Sequence, residues 1–98
     1  MISVKPLSPF WVDGDKGERY QCRPLSGLEA LELMPEISNE NDIIKVTGRA
    51  LRLAVMHGVT GWEGREDQFS SAAINNLPPV TLHNLADEII NATNWTGE

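Results

Sequence analysis

A long run of mostly apolar residues between positions 42 and 58 has the spacing of a helix. At about 100° per residue, its apolar side chains cover more than half of the helix circumference. They are Ile43, Ile44, Val46, Thr47, Ala50, Leu51, Leu53, Ala54 and Val55. The basic side chains of the run share the remaining strip, and they are Lys45, Arg49 and Arg52. An arc this wide is typical of a helix that is covered on several sides. The pattern therefore predicts a central helix over about 42–57, capped by Asn41 or Asp42 and ended by a left-handed Gly58.

The N-terminal part of the chain alternates in the manner of β-strands. Residues 2–5, Ile-Ser-Val-Lys, alternate between apolar and polar side chains, and residues 19–22 do the same. Residues 13–17, DGDKG, lie between the second run and a short aromatic stretch and are a dense turn signal. We therefore predict a β-hairpin over residues 10–23. Because an isolated hairpin is only marginally stable in water, we expect this one to pack on the helices.

A capping box marks the start of the next helix. Ser26 and Glu29 are spaced so that each side chain can bond the free backbone amide of the other residue. The short helix that follows is predicted to turn its apolar side chains inward, and these are Leu28, Leu31 and Met34. Its acidic side chains are either a solvated face or a docking strip, for a basic partner protein or for the basic strip, and these are Glu29, Glu32 and Glu36. Residues 37–41 are predicted as a polar connection into the central helix.

The C-terminal half of the chain predicts a loop and two more helices. Residues 59–68 are rich in glycine and charge, and they predict a loop held by Trp62, which is either a core anchor or a protein contact. Ser70 or Ser71 begins a short helical turn. Pro79 suits the first position of a last helix, whose apolar face is predicted to cover the central helix. That face consists of Leu82, Leu85, Ala86, Ile89, Ile90 and Ala92.

Together these elements predict an α+β fold in a single domain, residues 1–98. An N-terminal β-hairpin region, residues 1–25, packs on a helical region, residues 26–95, in which a small bundle of three to four helices is built around the central helix. A chain of this length buries roughly 60–65% of the surface that it exposes when unfolded.

The composition narrows the classes of function. A net charge of −6 and an isoelectric point near 4.8 argue against nucleic-acid binding, which depends on clustered Lys and Arg. The single cysteine, Cys22, excludes an intrachain disulfide and fits a reducing compartment. The start Met-Ile-Ser-Val-Lys lacks the apolar run of a signal peptide, and no apolar run is long enough to span a membrane. We therefore expect a soluble intracellular protein.

The sequence contains no recognisable catalytic arrangement. His57 and His83 are not spaced as a metal-binding pair, and no nucleophile elbow, phosphate loop or dinucleotide fingerprint occurs. His57 lies at the predicted end of the central helix, where a structural role is sufficient. Residues 13–17 have the spacing that opens a calcium loop, but the twelfth position is Pro24 rather than a glutamate, which favours a plain turn. We expect neither an enzyme nor a bound cofactor or metal.

Three segments of the chain resemble a known family. Residues 20–33, YQCRPLSGLEALEL, run from a basic strand into a capped helix, and residues 50–62, ALRLAVMHGVTGW, read as a helix that ends in a Gly-Trp loop. Residues 76–90, NLPPVTLHNLADEII, contain the start of the last helix. In this order, over residues 18–93, they resemble the small tail assembly chaperones, and related short tail proteins, of tailed bacteriophages and prophages. The resemblance implies an α-rich fold with a small β element, no catalysis and no cofactor. It also implies binding to the tape-measure protein before the tail tube polymerises around it.

A chaperone of this kind needs a surface that covers an apolar helical partner. A groove between amphipathic helices supplies such a surface, and the negative net charge keeps the complex soluble. The candidate contact residues are Lys45, Arg49, Arg52, Met56, Trp62 and Trp95, none of which is a family-defined site. Trp95, near the C-terminal end, is either an exposed contact residue or packed back onto the protein.

Two other classes of function remain open. One is a structural tail or head-completion subunit that self-associates into a homo-oligomer or ring. The other is a small phage-encoded adaptor or regulatory protein that acts by binding a bacterial protein. In each class the expected location is the cytoplasm of the bacterial host, and neither nucleic acid nor membrane is expected as a partner.

Overall fold

The computed structural model describes residues 8–96, and within them the chain forms four α-helices and two antiparallel sheets. The elements in chain order are β1 (Phe10–Asp13), β2 (Arg19–Cys22), α1 (Gly27–Leu33), a 3₁₀ turn (Met34–Glu36), β3 (Ile37–Glu40), β4 (Ile43–Val46), α2 (Gly48–Gly58), β5 (Val59–Glu63), α3 (Ser71–Ile74) and α4 (Pro79–Ala92). The predicted α+β class is confirmed. The predicted alternation of residues 2–5 lies outside the described residues.

The predicted hairpin over residues 10–23 is confirmed. β1 and β2 pair antiparallel, with Phe10 opposite Cys22 and Asp13 opposite Arg19. Gly17, in the turn between them, has a φ of 83°, which only glycine adopts without strain. β2 also pairs with β5, so that the first sheet has the order β1-β2-β5.

The prediction of a loop over residues 59–68 is wrong for its first half, because β5 occupies residues 59–63. Gly61 lies opposite Gln21, and Trp62 lies opposite Tyr20 in the pairing with β2. The rings of Tyr20 and Trp62 meet edge to face with their centroids 6.1 Å apart. Pairing with β2 thus outweighs the low strand propensity of glycine. Because β2 is distant in the sequence, local pattern did not predict this strand.

A second hairpin replaces the start of the predicted central helix. Residues 37–40 form β3 and residues 43–46 form β4, with Ile37 opposite Val46 and Glu40 opposite Ile43. Asn41 and Asp42 have φ values of 53° and 65°, as a two-residue type I′ turn requires. They therefore connect two strands and do not cap a helix, and both the predicted connection at 37–41 and the helical assignment of 42–47 are wrong.

The helix α2 begins later than predicted and is still the central one. The Thr47 hydroxyl caps it by accepting a hydrogen bond from the Ala50 amide at 3.2 Å. The helix ends at Gly58 and passes directly into β5, and Gly58 is not in the left-handed conformation that we predicted. Its lack of a side chain serves packing instead, because an added Cβ would lie 2.5 Å from the Cδ1 atom of Ile89 on α4.

The predicted capping box of α1 is present, but the predicted inward face is wrong. The Ser26 and Glu29 side chains each accept a hydrogen bond from the backbone amide of the other residue. The apolar side chains expected inside are largely exposed: Leu28 by 82%, Leu31 by 61% and Met34 by 52%. Ala30 and Leu33 are buried in their place. Leu33 follows Glu29 by one helical turn, so it is buried on the side from which Glu29 contacts Arg23, which follows β2, and His57 of α2.

The last helix follows the prediction, whereas the core lacks Ile43 and Ile44 of the predicted central helix, which are 60% and 67% exposed. The side chain of Ser70 caps α3, and α4 has Pro79 at its first position. α4 covers α2 and buries Leu85, Ala86 and Ile89. The core that these helices share with the first sheet consists of Tyr20, Cys22, Leu25, Ala30, Leu33, Ala50, Ala54, Val55, Val59, Ile74, Leu77, Leu85, Ala86 and Ile89. No helix within residues 8–96 is long and apolar enough to cross a membrane.

Candidate functional site

One mainly apolar depression lies between α2 and the first turns of α4, and we name it the α2–α4 groove. Its volume is about 440 Å³, which is within the usual range of ligand-binding clefts. It is lined by Gly48, Leu51, Arg52, Val55, Met56, Ile74, Asn75, Pro79, Leu82 and His83. The walls are mainly aliphatic, with polar side chains at a few positions. Such a surface suits an apolar segment of a protein partner more than a small polar ligand.

Spacing along α2 explains how the chain builds one wall of this groove. Gly48, Arg52 and Met56 follow one another at intervals of four residues, so they share one stripe of the helix. Met56 is 38% exposed, and its flexible thioether side chain adapts to different partner shapes. At Gly48, an added Cβ would have no atom within 4 Å, so the wall is open at this point.

A second depression, which we name the hairpin groove, lies between the β3–β4 hairpin and the C-terminal end of α4. Its volume is about 410 Å³, and it is lined by Met34, Ile37, Ser38, Asn39, Ile44, Ile90, Asn91 and Trp95. Ile43 and Ile44 are 60% and 67% exposed on the hairpin. Adjacent strand residues point to opposite faces, so the tip of the hairpin is apolar on both sides.

The six predicted contact residues do not form one surface. Arg52 and Met56 meet in the α2–α4 groove, whereas Trp95 lines the hairpin groove. Lys45 lies on β4, where its ammonium group is 3.2 Å from the Glu40 carboxylate. The predicted basic strip is therefore wrong as a single helical face, because only Arg49 and Arg52 belong to α2.

Trp95 is packed back onto the protein. α4 ends at Ala92, so that Trp95 is not a helical residue, and its indole N–H donates a hydrogen bond to the Ile90 carbonyl at 3.0 Å. The ring is partly buried against the core and forms one wall of the hairpin groove. Of the two predicted alternatives, the structure shows the second.

Trp62 anchors the segment that follows β5. Its ring meets Phe69 edge to face at 5.1 Å, in addition to its contact with Tyr20. The indole N–H donates to the Asp67 carbonyl at 2.9 Å. The Arg65 guanidinium lies 4.9 Å from the ring centroid and also bonds the Asp67 carboxylate. These contacts use the ring and its N–H within the chain, as expected of a core anchor.

A partly buried ion-pair cluster ties α1 to its neighbours. Arg23 donates two hydrogen bonds to the Glu29 carboxylate at 2.8 and 2.7 Å, and these lower the pKa of Glu29 to about 2. The Nδ1 atom of His57 on α2 lies 3.3 Å from the same carboxylate. Further along the acidic row, Glu36 accepts from the Thr47 hydroxyl at 2.8 Å and lies 3.9 Å from Arg49. Glu29 and Glu36 thus have cationic partners within the chain. Arg49 is the residue of the predicted basic strip that pairs with this acidic face.

The remaining candidates for chemistry have structural surroundings. Cys22 is fully buried, and burial raises the pKa of its thiol to about 12, which suppresses the reactive thiolate. The 13–17 segment is closed by hydrogen bonds from the Gly14 and Lys16 amides to Glu18. In the described part of the chain, no three His, Cys, Asp or Glu side chains are grouped so as to hold a metal ion.

Comparison with other proteins gives no further identification. No protein-family model, curated protein or solved structure matches this chain. Its function must therefore be inferred from the grooves and from the sequence motifs themselves.

The far wall of the α2–α4 groove agrees with the sequence prediction only at Leu82, which belongs to the face of α4 predicted to cover the central helix. Ile74 of α3 and His83 of α4 were not predicted there, because only the folded arrangement brings them to the groove. The hairpin groove was also missed, although β-branched residues on both sides of Asn41 and Asp42 were a usable signal for a hairpin.

Proposed function

We propose that this protein is a non-enzymatic tail assembly chaperone of a bacteriophage or prophage, which binds the tape-measure protein before the tail tube forms around it. The resemblance of its three sequence segments to that family supports the proposal. The structural observation that carries it is the α2–α4 groove, an apolar cleft that contains two of the predicted contact residues, Arg52 and Met56.

The physical task of such a chaperone fits this groove. A long helical partner carries an apolar stripe that must stay out of water until its own assembly begins. Helix-in-groove binding covers such a stripe through side chains at i, i+3, i+4 and i+7 positions. The aliphatic walls of the groove supply the complementary surface, and the net charge of −6 keeps the complex soluble in the host cytoplasm.

A substitution that fills the groove without disturbing the fold tests the proposal. Gly48 is the first residue of α2 and lines the groove, and an added Cβ there meets no atom within 4 Å. Gly48→Leu therefore adds a large side chain at the wall of the groove, with no neighbouring atom that must move to accommodate its Cβ. Gly27 is the matched control, because it is the first residue of α1, has equally open space and does not line the groove.

The measurement is the affinity of the protein for overlapping segments of the tape-measure protein from the same phage or prophage. We expect at least one segment to bind, with an affinity about tenfold weaker for Gly48→Leu, corresponding to about 1.4 kcal/mol. Gly27→Leu should bind as the wild type does, and both variants should unfold at no lower temperature. Failure of every segment to bind would overturn the proposed function. Equal affinity of the wild type, Gly48→Leu and Gly27→Leu for a segment would show that the α2–α4 groove is not the binding site.

A further inference from the structure

Arg52 differs from the other arginines of the described chain in having no acidic partner. Within residues 8–96 each of the other four has a carboxylate oxygen within 4 Å, and these pairs are Arg19 with Glu63 at 3.1 Å, Arg23 with Glu29 at 2.7 Å, Arg49 with Glu36 at 3.9 Å and Arg65 with Asp67 at 2.8 Å. The sequence has 14 acidic and 8 basic residues, so an arginine has many possible carboxylate partners. The free guanidinium of Arg52 is therefore a distinct feature of this surface.

Arg52 is one of the residues that line the α2–α4 groove, and it is exposed to solvent. Met56 is one helical turn further along the same wall, and His83 contributes from α4. The described lining contains no Asp or Glu. The nearby acidic residue on α4, Asp87, has its carboxylate 3.2 Å from the Nδ1 atom of His83. The groove thus combines an apolar surface with an unpaired cation at its edge.

From this combination we infer that the α2–α4 groove selects an amphipathic helical segment with Asp or Glu beside its apolar stripe, and that Arg52 binds that carboxylate. The inference rests on the proposed use of this groove for a protein partner. A guanidinium is suited to the task because its planar donors engage both oxygens of a carboxylate. At about 0.1–0.15 M salt, charges beyond roughly 8–10 Å are screened, so a carboxylate bound at Arg52 interacts mainly with this guanidinium and less with the distant acidic residues of the protein.

Two designed peptides test the inference independently of the partner's own sequence. Both are helical, of about 20 residues, with the same Leu and Ala stripe, and they differ only in carrying Glu or Lys along both borders of the stripe. The dissociation constant for each is measured by fluorescence anisotropy at low and at high salt. The proteins compared are the wild type, Arg52→Glu and Lys16→Glu. Lys16 is exposed in the β1–β2 turn, so its reversal makes the same change in net charge away from the groove.

We expect the wild type to bind the Glu peptide about three- to tenfold more tightly than the Lys peptide, with the preference shrinking as salt is added. Arg52→Glu should reverse the preference, and Lys16→Glu should keep it. Equal binding of the two peptides by the wild type, or a preference that survives in Arg52→Glu, would overturn the inference. If tape-measure segments bind but the wild type does not prefer the Glu peptide, the inference is overturned and the proposed function is unaffected. If the wild type prefers the Glu peptide but binds no tape-measure segment, the proposed function is overturned and the acidic selectivity of the groove is retained.

Discussion

The contact between Gly58 and Ile89 sets how closely α2 and α4 approach each other. A Cβ added at Gly58 would lie 2.5 Å from Cδ1, 2.8 Å from Cγ2 and 2.9 Å from Cγ1 of Ile89. The Ile89 side chain is 0% exposed, so it has no free space into which to rotate. We therefore expect Gly58→Ala to destabilise the protein, although alanine is the better helix former.

The size of the effect follows from two opposing contributions. Replacing glycine by alanine favours a helix interior by up to about 1 kcal/mol, and by less at a terminal helical residue such as this one. Forcing a methyl group into a packed core costs about 1–3 kcal/mol. The expected net loss is about 1–2 kcal/mol, which lowers the Tm of a domain of this size by roughly 5–15 °C.

A double-mutant cycle in urea, followed by circular dichroism, separates these contributions. Ile89→Ala alone should cost about 2–5 kcal/mol, because it leaves a cavity. In that background Gly58→Ala should be neutral or stabilising, since the new methyl enters vacated space. If Ile89→Ala does not fold, Ile89→Val removes the closest atom and should relieve part of the penalty. Gly48→Ala is the control and should not destabilise, because that site is open. A Gly58→Ala protein that gains stability equally in both backgrounds would refute the steric argument.

Three further predictions concern other parts of the molecule. Glu29→Gln should cost about 1–2 kcal/mol at pH 7 after allowance for partial solvent screening. Because the folded pKa of Glu29, about 2, lies below its ordinary value of 4.5, its stabilisation is complete above about pH 4.5 and is lost as the pH falls towards 2. The urea midpoint of Glu29→Gln should therefore depend less on pH in this range than that of the control Glu66→Gln. Cys22 should react with a thiol reagent only as fast as the protein unfolds, and rapid labelling of the native protein would contradict its burial. Native mass spectrometry should show a monomer, whereas concentration-dependent rings would favour a structural tail subunit.

The elements that could be predicted well from the sequence are those with local signals. The Ser26 and Glu29 capping box, the Pro79 start of α4 and the glycine-containing turn of the first hairpin each depend on residues a few positions apart. Such signals act in the same way whatever the rest of the chain does. The amphipathic face of α4 was also predictable, because a helix of 14 residues contains several repeats of the pattern.

The region around the second hairpin was not predicted, because its apolar run suits both a helix and a strand. Ile43, Ile44 and Val46 are β-branched and favour a strand, while their continuation into α2 lends the whole run a helical period. The deciding residues are Asn41 and Asp42, which tolerate positive φ better than most. The Asn41-Asp42 pair is therefore a stronger indicator of structure here than the helical spacing of the apolar residues.

The buried face of α1 depends on distant residues and was not available from local pattern. With 7 residues, α1 offers both a Leu28 and Leu31 face and an Ala30 and Leu33 face. The second face is the buried one, on the side where Glu29 contacts Arg23 and His57. The same limit applied to the candidate site: Arg52, Met56 and Leu82 were predicted, whereas the contributions of Ile74 and His83 to the opposite wall were not.

α2 separates the tasks of packing and of binding along two stripes of a single helix. Ala50, Ala54 and Gly58 are buried at intervals of four residues, and the small size of these residues lets other elements approach closely. Two positions away, the stripe of Gly48, Arg52 and Met56 lines the α2–α4 groove. Substitutions on the first stripe should therefore change the free energy of unfolding, and those on the second should change affinity. A set of variants in which stability and affinity always fell together would show that the groove is only a by-product of core packing.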